Sequence, residues 1–164
     1  MPLKQGDQAP DVTLPSHEGK QVSLRELWSK QPLVVHFFPL AFTSTCTEQV
    51  CTAGNDLPTH RELDALPVAI SVDSPYVLAR FRAECGVDYP FLSDFNREAV
   101  NAFGVLRTDP VGPGLRNAAD RAVFVIDRDG RVAYAWHSTN PGLLPPFDEI
   151  RAALARLRVG SGSA

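Results

Sequence analysis

The alternation of apolar and polar segments along this chain predicts strands and helices in turn. Residues 33–38 form a continuous apolar run rich in Val and Phe, and Pro39 follows it, which is typical of a central strand buried on both faces. Residues 68–72 form a second such run, and the pattern over residues 44–63 and 74–84 predicts a helix after each strand. This order of strand, helix, strand and helix predicts a parallel pair of strands in one sheet.

Residues 1–30 predict a β-hairpin and a short helix. Two short extended segments lie on either side of residues 16–20, where Gly19 is the turn residue. A helix then begins at Ser23, because Glu26 stands at the spacing of a capping box.

The second half of the chain predicts another hairpin. Residues 104–107 form a short edge segment, and a Pro- and Gly-rich loop follows over residues 108–120. The apolar segments 121–126 and 131–136 flank the turn sequence Asp-Arg-Asp-Gly, which is the strongest hairpin signal in the chain. These two segments predict antiparallel strands beside the parallel pair.

The end of the chain completes the predicted fold. Residues 147–158 carry Leu and Ile at helical spacing, and residues 160–164 predict a disordered tail. The sum is an α/β fold in which helices flank a central mixed sheet, with an added N-terminal β-hairpin, and this is the outline of a thioredoxin-like fold. Because 44% of the 164 residues are apolar and no linker or repeat interrupts them, we expect a single domain over residues 1–164.

The charge and the apolar pattern argue against two classes of partner. The formal net charge is −3 and no run of Lys or Arg occurs, so nucleic acid is not expected as a partner. No apolar stretch approaches the roughly eighteen residues needed to cross a bilayer, and residues 1–7 lack the apolar core of a signal peptide. We therefore expect a cytoplasmic protein that does not act at a membrane.

The three cysteines, Cys46, Cys51 and Cys85, do not predict a structural disulfide framework. Their number is odd, and such frameworks are rare in a reducing compartment such as the cytoplasm. Their spacing matches no common zinc site, so we expect no bound metal. Each cysteine is therefore either reactive or a small buried residue.

Cys46 stands where a helix is predicted to begin, a few residues after Pro39 at the end of the first strand. A cysteine in the first turn of a helix faces unpaired backbone N–H groups and the positive end of the helix dipole. Both favour the thiolate, which is the nucleophilic form of cysteine. The other interpretation is a buried structural cysteine, but the polar residues 43–45 and Thr47 around Cys46 favour a reactive site.

The residues around Cys46 resemble the active-site signature of the peroxiredoxins. In this chain the signature is Pro39-x-x-x-Thr43-x-x-Cys46, and the resemblance extends over about residues 5–158. Four further segments resemble the family in the same order: residues 6–11, 71–75, 90–94 and 121–130.

Within the family, the cysteine five positions after Cys46 is similar to that of the bacterioferritin-comigratory or Q-type group, while residues 38–43 and 92–95 also resemble the E-type alkyl hydroperoxide reductases. The resemblance implies a thiol-dependent peroxidase that reduces hydrogen peroxide and organic hydroperoxides through a sulfenic acid on Cys46. It implies no metal, flavin, haem or other cofactor. It also implies recycling by thioredoxin or a similar small dithiol protein, and a monomer or homodimer.

The resemblance gives a role to three residues beside Cys46. Thr43 orients the peroxide or the thiolate through its hydroxyl, and otherwise serves as a helix cap. Pro39 shields the thiolate from water, besides ending the strand. Arg121, at the start of a predicted strand, pairs with the developing anion, and otherwise lies at the solvent edge of the sheet.

Cys51 is the candidate resolving cysteine by the same resemblance, and its position requires a change of structure. Five residues along an ideal helix place two Cα atoms roughly 8.7 Å apart, beyond the limit of roughly 7 Å for a disulfide. The helix must therefore unwind over residues 44–54 to join Cys51 to Cys46. Cys85 is the alternative, since some Q-type relatives resolve from the second core helix, and a one-cysteine mechanism also stays open.

Other polar residues carry weaker signals. Gln49 matches a family position, but a glutamine on a helix face is usually exposed. His36 lies inside the first apolar run, where it either tunes Cys46 or is satisfied by hydrogen bonds in the core. His60 is expected on a polar helix face, and Arg107 and Arg116 are expected to be solvated surface charges.

Two functions other than peroxidase activity are alternative interpretations of the sequence. A thioredoxin-like disulfide reductase is disfavoured, because such enzymes use the C-x-x-C spacing, whereas four residues separate Cys46 from Cys51. A peroxide-sensing or redox-relay module would use the same fold, with Cys46 oxidised as a signal and without sustained turnover.

Overall fold

The computed structural model describes residues 1–162 and contains nine strands and six helices in that range. In chain order they are β1 (Thr13–Pro15), β2 (Gln21–Ser23), α1 (Leu24–Trp28), β3 (Leu33–Phe37), α2 (Ser44–Asn55), α3 (Leu57–Glu62), β4 (Leu66–Ser71), α4 (Pro75–Cys85), β5 (Phe91–Ser93), α5 (Glu98–Ala102), β6 (Leu106–Arg107), β7 (Ala118–Ala119), β8 (Arg121–Ile126), β9 (Val132–Ser138) and α6 (Phe147–Gly162). Within this range, no helix is both long and apolar enough to cross a membrane.

The central sheet has five strands in the order β5-β4-β3-β8-β9. Strands β3, β4 and β5 are parallel, whereas β8 runs antiparallel to both β3 and β9. Strands β1 and β2 pair as a separate antiparallel hairpin before the sheet. The mixed sheet flanked by helices and the added N-terminal hairpin confirm the predicted fold class.

The predicted cap of α1 is confirmed, and the helix predicted over residues 74–84 has caps at both ends. The Ser23 hydroxyl accepts a hydrogen bond from the backbone N–H of Glu26 and so begins α1. Helix α4 begins in the same way at Ser74 and ends at Gly86, which has a φ of 65°. A glycine adopts this left-handed conformation at little cost, so the helix stops there.

The helix predicted over residues 44–63 is interrupted, and this prediction is corrected to two helices. Helix α2 ends at Asn55, and α3 begins at Leu57 with a proline in its first turn. Pro58 has no backbone N–H and clashes with the preceding turn, so α2 cannot continue through it.

The segment predicted at the sheet edge lies outside the central sheet. Strand β6 pairs with β7, which lies inside the predicted loop 108–120, in a small sheet of their own. The β6–β7 pairing satisfies backbone hydrogen-bonding groups of the loop. The sequence does not reveal this pairing, because β7 has only two residues and no continuous apolar run.

The closing helix is longer than predicted. Helix α6 begins at Phe147, as expected, but continues to Gly162, so no disordered tail begins at residue 160. Once a helix is established, each further residue adds a backbone hydrogen bond, which carries it past the last apolar position. The remainder of the predicted tail, residues 163 and 164, lies outside the described residues.

The strand β3 is buried along its whole length and serves two cores. Val35 and Phe37 face the larger core, while Val34 packs with Ile150 and Leu154 of α6 on the opposite face. His36 shares that opposite face, because side chains alternate along a strand. The polar side chain of His36 therefore lies in the sheet where it contacts Gln49 of α2.

Helix α2 packs closely against the chain that follows α4. A Cβ added to Gly54 would lie 2.3 Å from Cγ1 of Val87, so only glycine fits here without a shift. The hydroxyl of the buried Tyr89 donates a hydrogen bond of 2.6 Å to the backbone carbonyl of Val50. These two contacts hold the second half of α2 against the end of α4.

Gly54→Ala is expected to destabilise the fold. Overpacking costs about 1–3 kcal/mol, which outweighs the roughly 1 kcal/mol that alanine gains over glycine inside a helix. Urea denaturation of Gly54→Ala, Val87→Ala and the double variant separates these effects. In the Val87→Ala background, the Gly54→Ala change is expected to be neutral or stabilising, and an equal cost in both backgrounds would contradict the close contact.

Candidate active site

Cys46 lies in the first turn of α2, as predicted, and is only 1% exposed. Thr43 is the residue before the helix, in an extended conformation. The Thr43 hydroxyl donates a hydrogen bond of 2.8 Å to the carbonyl of Leu40 and does not cap the helix. Thr43 occupies the N-cap position of α2, but its hydroxyl accepts no hydrogen bond from the helix, so the expected alternative role as a side-chain cap is wrong. The oxygen lone pairs of Thr43 stay available to accept a hydrogen bond from a ligand.

The loop that joins β3 to α2 is held by a residue that the sequence analysis did not single out. The Asp73 carboxylate accepts hydrogen bonds from the backbone N–H of Ala41, at 2.8 Å, and from the Ser71 hydroxyl, at 2.6 Å. Phe42 has a φ of 68°, a left-handed conformation that costs a non-glycine residue about 1–2 kcal/mol. The Asp73 anchor fixes the sharp turn that directs the chain into α2.

Arg121 is almost fully buried and donates to the Cys46 sulfur. Its Nη2 lies 3.3 Å from Sγ of Cys46 and 2.7 Å from the carbonyl oxygen of Pro141, while Nη1 lies 2.6 Å from Oε1 of Gln49. These four residues are called the Arg121 cluster below. The predicted solvent-edge alternative for Arg121 is therefore wrong.

The Arg121 cluster contains one buried cation and, among the described residues, no carboxylate partner for it. Among the hydrogen-bond partners that residues 1–162 provide for Arg121, the Pro141 carbonyl and the Gln49 amide are neutral, and only the Cys46 sulfur is able to take up a negative charge. A buried cation without an anion is costly, whereas a paired one is not. A thiolate at Cys46 would neutralise the Arg121 guanidinium within the fold.

Gln49 is fully buried, so the expectation of an exposed glutamine is wrong. Its Oε1 accepts from Arg121, which turns its Nε2 toward Nδ1 of His36 at 3.1 Å. The Gln49 amide donates, so Nδ1 of His36 must accept, and the imidazole is neutral. The sequence signal for this role is the match of Gln49, three residues after Cys46, to a family position.

His36 belongs to the same hydrogen-bond chain but does not touch Cys46. Burial, and then the neighbouring His60, lower the pKa of His36 to about 3. Its ring stacks on Phe147 of α6, with centroids 5.9 Å apart. The core hydrogen bond expected for His36 is present at Nδ1, to Gln49, whereas Nε2 is buried without a partner among the described residues. Any influence of His36 on Cys46 passes through Gln49 and Arg121.

Two other polar residues are buried against expectation, and one is exposed as expected. His60 is 1% exposed, and burial lowers its pKa. Arg107 is 9% exposed and forms a salt bridge of 3.1 Å with Asp120. The β6–β7 pairing brings Arg107 to this carboxylate, which a sequence pattern does not reveal, whereas Arg116 is exposed.

Pro39, Thr43, Cys46 and Arg121 line one pocket of about 150 Å³. Val111 and Leu115, which come from the loop before β7, also line this pocket. Because Pro39 has no N–H, it cannot donate a hydrogen bond to a ligand there. The structure thus joins four of the six sequence-predicted residues around one small cavity.

The other two predicted residues, Cys51 and Cys85, lie together outside this pocket. Both are half-buried, and all three cysteines carry free thiols. Burial, followed by interaction with the neighbouring Cys51 thiol, raises the pKa of Cys85 to about 12. The two candidates for the resolving role are therefore neighbours of each other.

Comparison with known proteins gives the family. The sequence profile described as the AhpC/TSA family matches residues 5–135. A putative peroxiredoxin of Mycobacterium tuberculosis, MT2597, is 35% identical over 83% of this chain and 86% of its own length. The peroxiredoxin Bcp of Escherichia coli K12 is 31% identical over 82% of this chain and 86% of its own length.

A solved structure agrees with these relatives. The crystal structure of peroxidoxin BcpB from Mycobacterium tuberculosis matches with a TM-score of 0.81 and 31% identity, over 94% of this chain and 97% of that one. Alkyl hydroperoxide reductase E proteins of mycobacteria are also similar. The chain belongs to the AhpC/TSA family. It is a peroxiredoxin, an enzyme that reduces peroxides through a cysteine thiol, and this confirms the resemblance given by Pro39, Thr43 and Cys46.

The buried neutral His36 is expected to make the fold sensitive to acid. Its pKa is about 3 in the folded chain and about 6.5 when unfolded, so between these values the unfolded state binds more protons and stability falls as the pH falls. From about pH 7 to about pH 5, wild type is expected to lose about 2 kcal/mol more unfolding free energy than His36→Asn. The asparagine keeps a neutral acceptor near Gln49, and urea denaturation at both pH values measures the difference. Parallel losses in the two proteins would show that His36 is not the acid-sensitive group.

Proposed function

We propose that Cys46 is the residue whose thiolate attacks the peroxide. The observation that carries this proposal is the hydrogen bond of 3.3 Å from the buried Arg121 to the Cys46 sulfur, in a cluster whose other acceptors are neutral. The first turn of α2 adds the positive end of a helix dipole to the same sulfur. Both effects favour the reactive form of cysteine.

The proposed reaction breaks the peroxide O–O bond. The Cys46 thiolate attacks one oxygen, the other oxygen leaves as an alcohol or water after taking up a proton, and Cys46 becomes a sulfenic acid. Arg121 stabilises the negative charge on the leaving oxygen. Thr43 positions the peroxide through its hydroxyl, and Pro39 keeps competing donors away from the sulfur.

The sulfenic acid is then resolved within the chain. The Cys51 thiol attacks the Cys46 sulfur, water leaves, and a Cys46–Cys51 disulfide forms. Thioredoxin or a similar dithiol protein returns the oxidised chain to its reduced form in our proposal. Because both residues lie on α2, the helix must unwind for this bond to form. Resolution by Cys85, or a mechanism that uses Cys46 alone, is the alternative.

We further propose that the chain is a single domain that works in the cytoplasm as a monomer or homodimer. The odd number of cysteines, without the spacing of a disulfide framework, supports a reducing compartment. The net charge of −3 gives no support for nucleic acid as a partner. The proposed chemistry uses sulfur, oxygen and protons alone, without a metal or other cofactor.

Cysteine variants test the assigned roles. Wild type is expected to consume hydrogen peroxide continuously with thioredoxin, thioredoxin reductase and NADPH, and Cys46→Ser is expected to lose this activity. Cys51→Ser is expected to stop after one turnover with a sulfenic acid on Cys46, which a dimedone-type reagent traps for mass spectrometry. Continuous turnover by Cys51→Ser would remove Cys51 from the resolving role, and oxidation of wild type without turnover would favour a peroxide sensor.

Arg121→Lys tests the proposed electrostatic role. Lysine keeps the positive charge but loses the two-nitrogen fork that holds the Cys46 sulfur and the Gln49 amide together. The rate constant for oxidation by hydrogen peroxide is expected to fall roughly 10- to 100-fold, less than the roughly 100- to 1,000-fold cost of removing a positioned donor, because lysine keeps the charge. Arg107→Lys, at another buried arginine that pairs with Asp120, is the matched control and is expected to keep the rate within about twofold. Equal rates for Arg121→Lys and wild type would contradict the role.

A further inference from the structure

We propose that the disulfide first formed on Cys46 is passed on to Cys51 and Cys85, and that the reductant acts on the resulting Cys51–Cys85 disulfide. This inference rests on the proposed role of Cys46 and adds a second disulfide to it. Cys85 then has a role of its own and is not merely a substitute for Cys51.

The packing of α2 on α4 brings Cys51 and Cys85 together. Cys85 is the last residue of α4, and the turn at Gly86 leads directly to Val87, which touches Gly54 of α2. The hydrogen bond from Tyr89 to the Val50 carbonyl, one residue before Cys51, fixes the same junction. The Cys51 and Cys85 side chains are neighbours in this folded arrangement.

Cys46 lies on a different face of α2. It shares the buried face with Val50 and Ala53, and its sulfur is bound to Arg121. An ideal helix places the Cα atoms of Cys46 and Cys51 roughly 8.7 Å apart, too far for a disulfide. A Cys46–Cys51 bond therefore requires unwinding, whereas a Cys51–Cys85 bond joins side chains that are already adjacent.

This difference provides the driving force for the exchange. While Cys46 is tied to Cys51, α2 stays unwound and the buried Arg121 loses the one partner able to carry a negative charge. Transfer of the disulfide to Cys85 frees Cys46, lets α2 refold and restores the Arg121 cluster. The relay thus ends in the arrangement that the folded protein favours.

The proposed steps balance in atoms and in electrons. The Cys85 thiolate attacks the Cys51 sulfur of the Cys46–Cys51 disulfide, a Cys51–Cys85 bond forms, and the Cys46 thiolate leaves. Overall, one hydroperoxide and two thiols give one alcohol or water, one further water and one disulfide. The reducing electrons come from Cys51 and Cys85, and Cys46 is returned ready for another peroxide.

The surroundings of Cys85 order these steps. Burial and the Cys51 thiol raise the pKa of Cys85 to about 12, so it stays a thiol while α2 is folded. Unwinding of α2 separates the Cys51 thiol from Cys85 and removes the part of its burial that α2 provides, so Cys85 becomes more reactive after Cys51 has bonded to Cys46. Cys51 and Cys85 are also half-buried, whereas Cys46 is 1% exposed, so a protein reductant reaches their disulfide more readily.

Disulfide mapping of the full chain tests the relay. The reduced protein is treated with one equivalent of hydrogen peroxide, quenched with an alkylating reagent at increasing times, and digested with trypsin and a glutamate-specific protease. Cleavage after Glu48 separates Cys46 from Cys51, so mass spectrometry distinguishes all three pairings. We expect a Cys46–Cys51 disulfide first, and then a Cys51–Cys85 disulfide with Cys46 alkylated.

Two variants sharpen the test. Cys85→Ser is expected to stop at the Cys46–Cys51 disulfide, and Cys46→Ser is expected to form no Cys51–Cys85 disulfide at the same peroxide dose and time. An end product of wild type in which Cys46 remains in a disulfide would overturn the relay. So would a Cys51–Cys85 bond that forms equally fast in Cys46→Ser, which would mean direct oxidation of this pair.

Failure of the relay is distinguishable from failure of the proposed function. Comparison of peroxide consumption by wild type and Cys46→Ser in the same samples tests the proposed function separately. If consumption requires Cys46 but the disulfide stays on it, only the relay is wrong. If Cys46→Ser consumes peroxide as fast as wild type, the proposed function is wrong as well.

Discussion

A guanidinium buried without a carboxylate partner is the constraint on which the rest of this site depends. Among the described residues, Arg121 donates to a backbone carbonyl, a glutamine oxygen and the Cys46 sulfur. Among these partners only the sulfur is able to take up a negative charge, and the proposed role of Cys46 as a thiolate nucleophile depends on this contact. The neutral His36 holds Gln49 in place from below and so extends this constraint into the sheet. In the proposed relay, loss of the sulfur from Arg121 destabilises the folded state, and the later steps return Cys46 to its pocket.

The sheet topology explains how residues 75 positions apart come into contact. Strand β3 runs toward α2, and β8 lies antiparallel beside it, so that Phe37 near the end of β3 pairs with Ala122 near the start of β8. Arg121, the first residue of β8, therefore stands at the edge of the sheet where α2 begins. A parallel β8 would place its first residue at the opposite edge.

Much of this arrangement is predictable from the sequence, because it depends on local signals. The apolar runs, Pro39 and the polar segment before Cys46 predict a strand, a turn and a helix start, and the Asp-Arg-Asp-Gly turn predicts the β8–β9 hairpin. What the sequence misses depends on tertiary partners. Gln49 is indistinguishable from a solvent-facing residue until Arg121 is placed beside it, and Asp73 anchors its loop by contacts that no spacing predicts. The proximity of Cys51 and Cys85 likewise follows from the packing of α2 on α4, since neither residue carries a local signal for the other.

The account therefore depends on the ionisation state of one sulfur, and the most direct measurement is the ultraviolet absorbance of the thiolate. The difference in absorbance between the reduced wild type and Cys46→Ser isolates Cys46 from the other two cysteines. At neutral pH, the account predicts a difference that corresponds to one thiolate per chain and disappears on acidification. A difference that develops only in alkaline solution, as for an ordinary thiol, would contradict it.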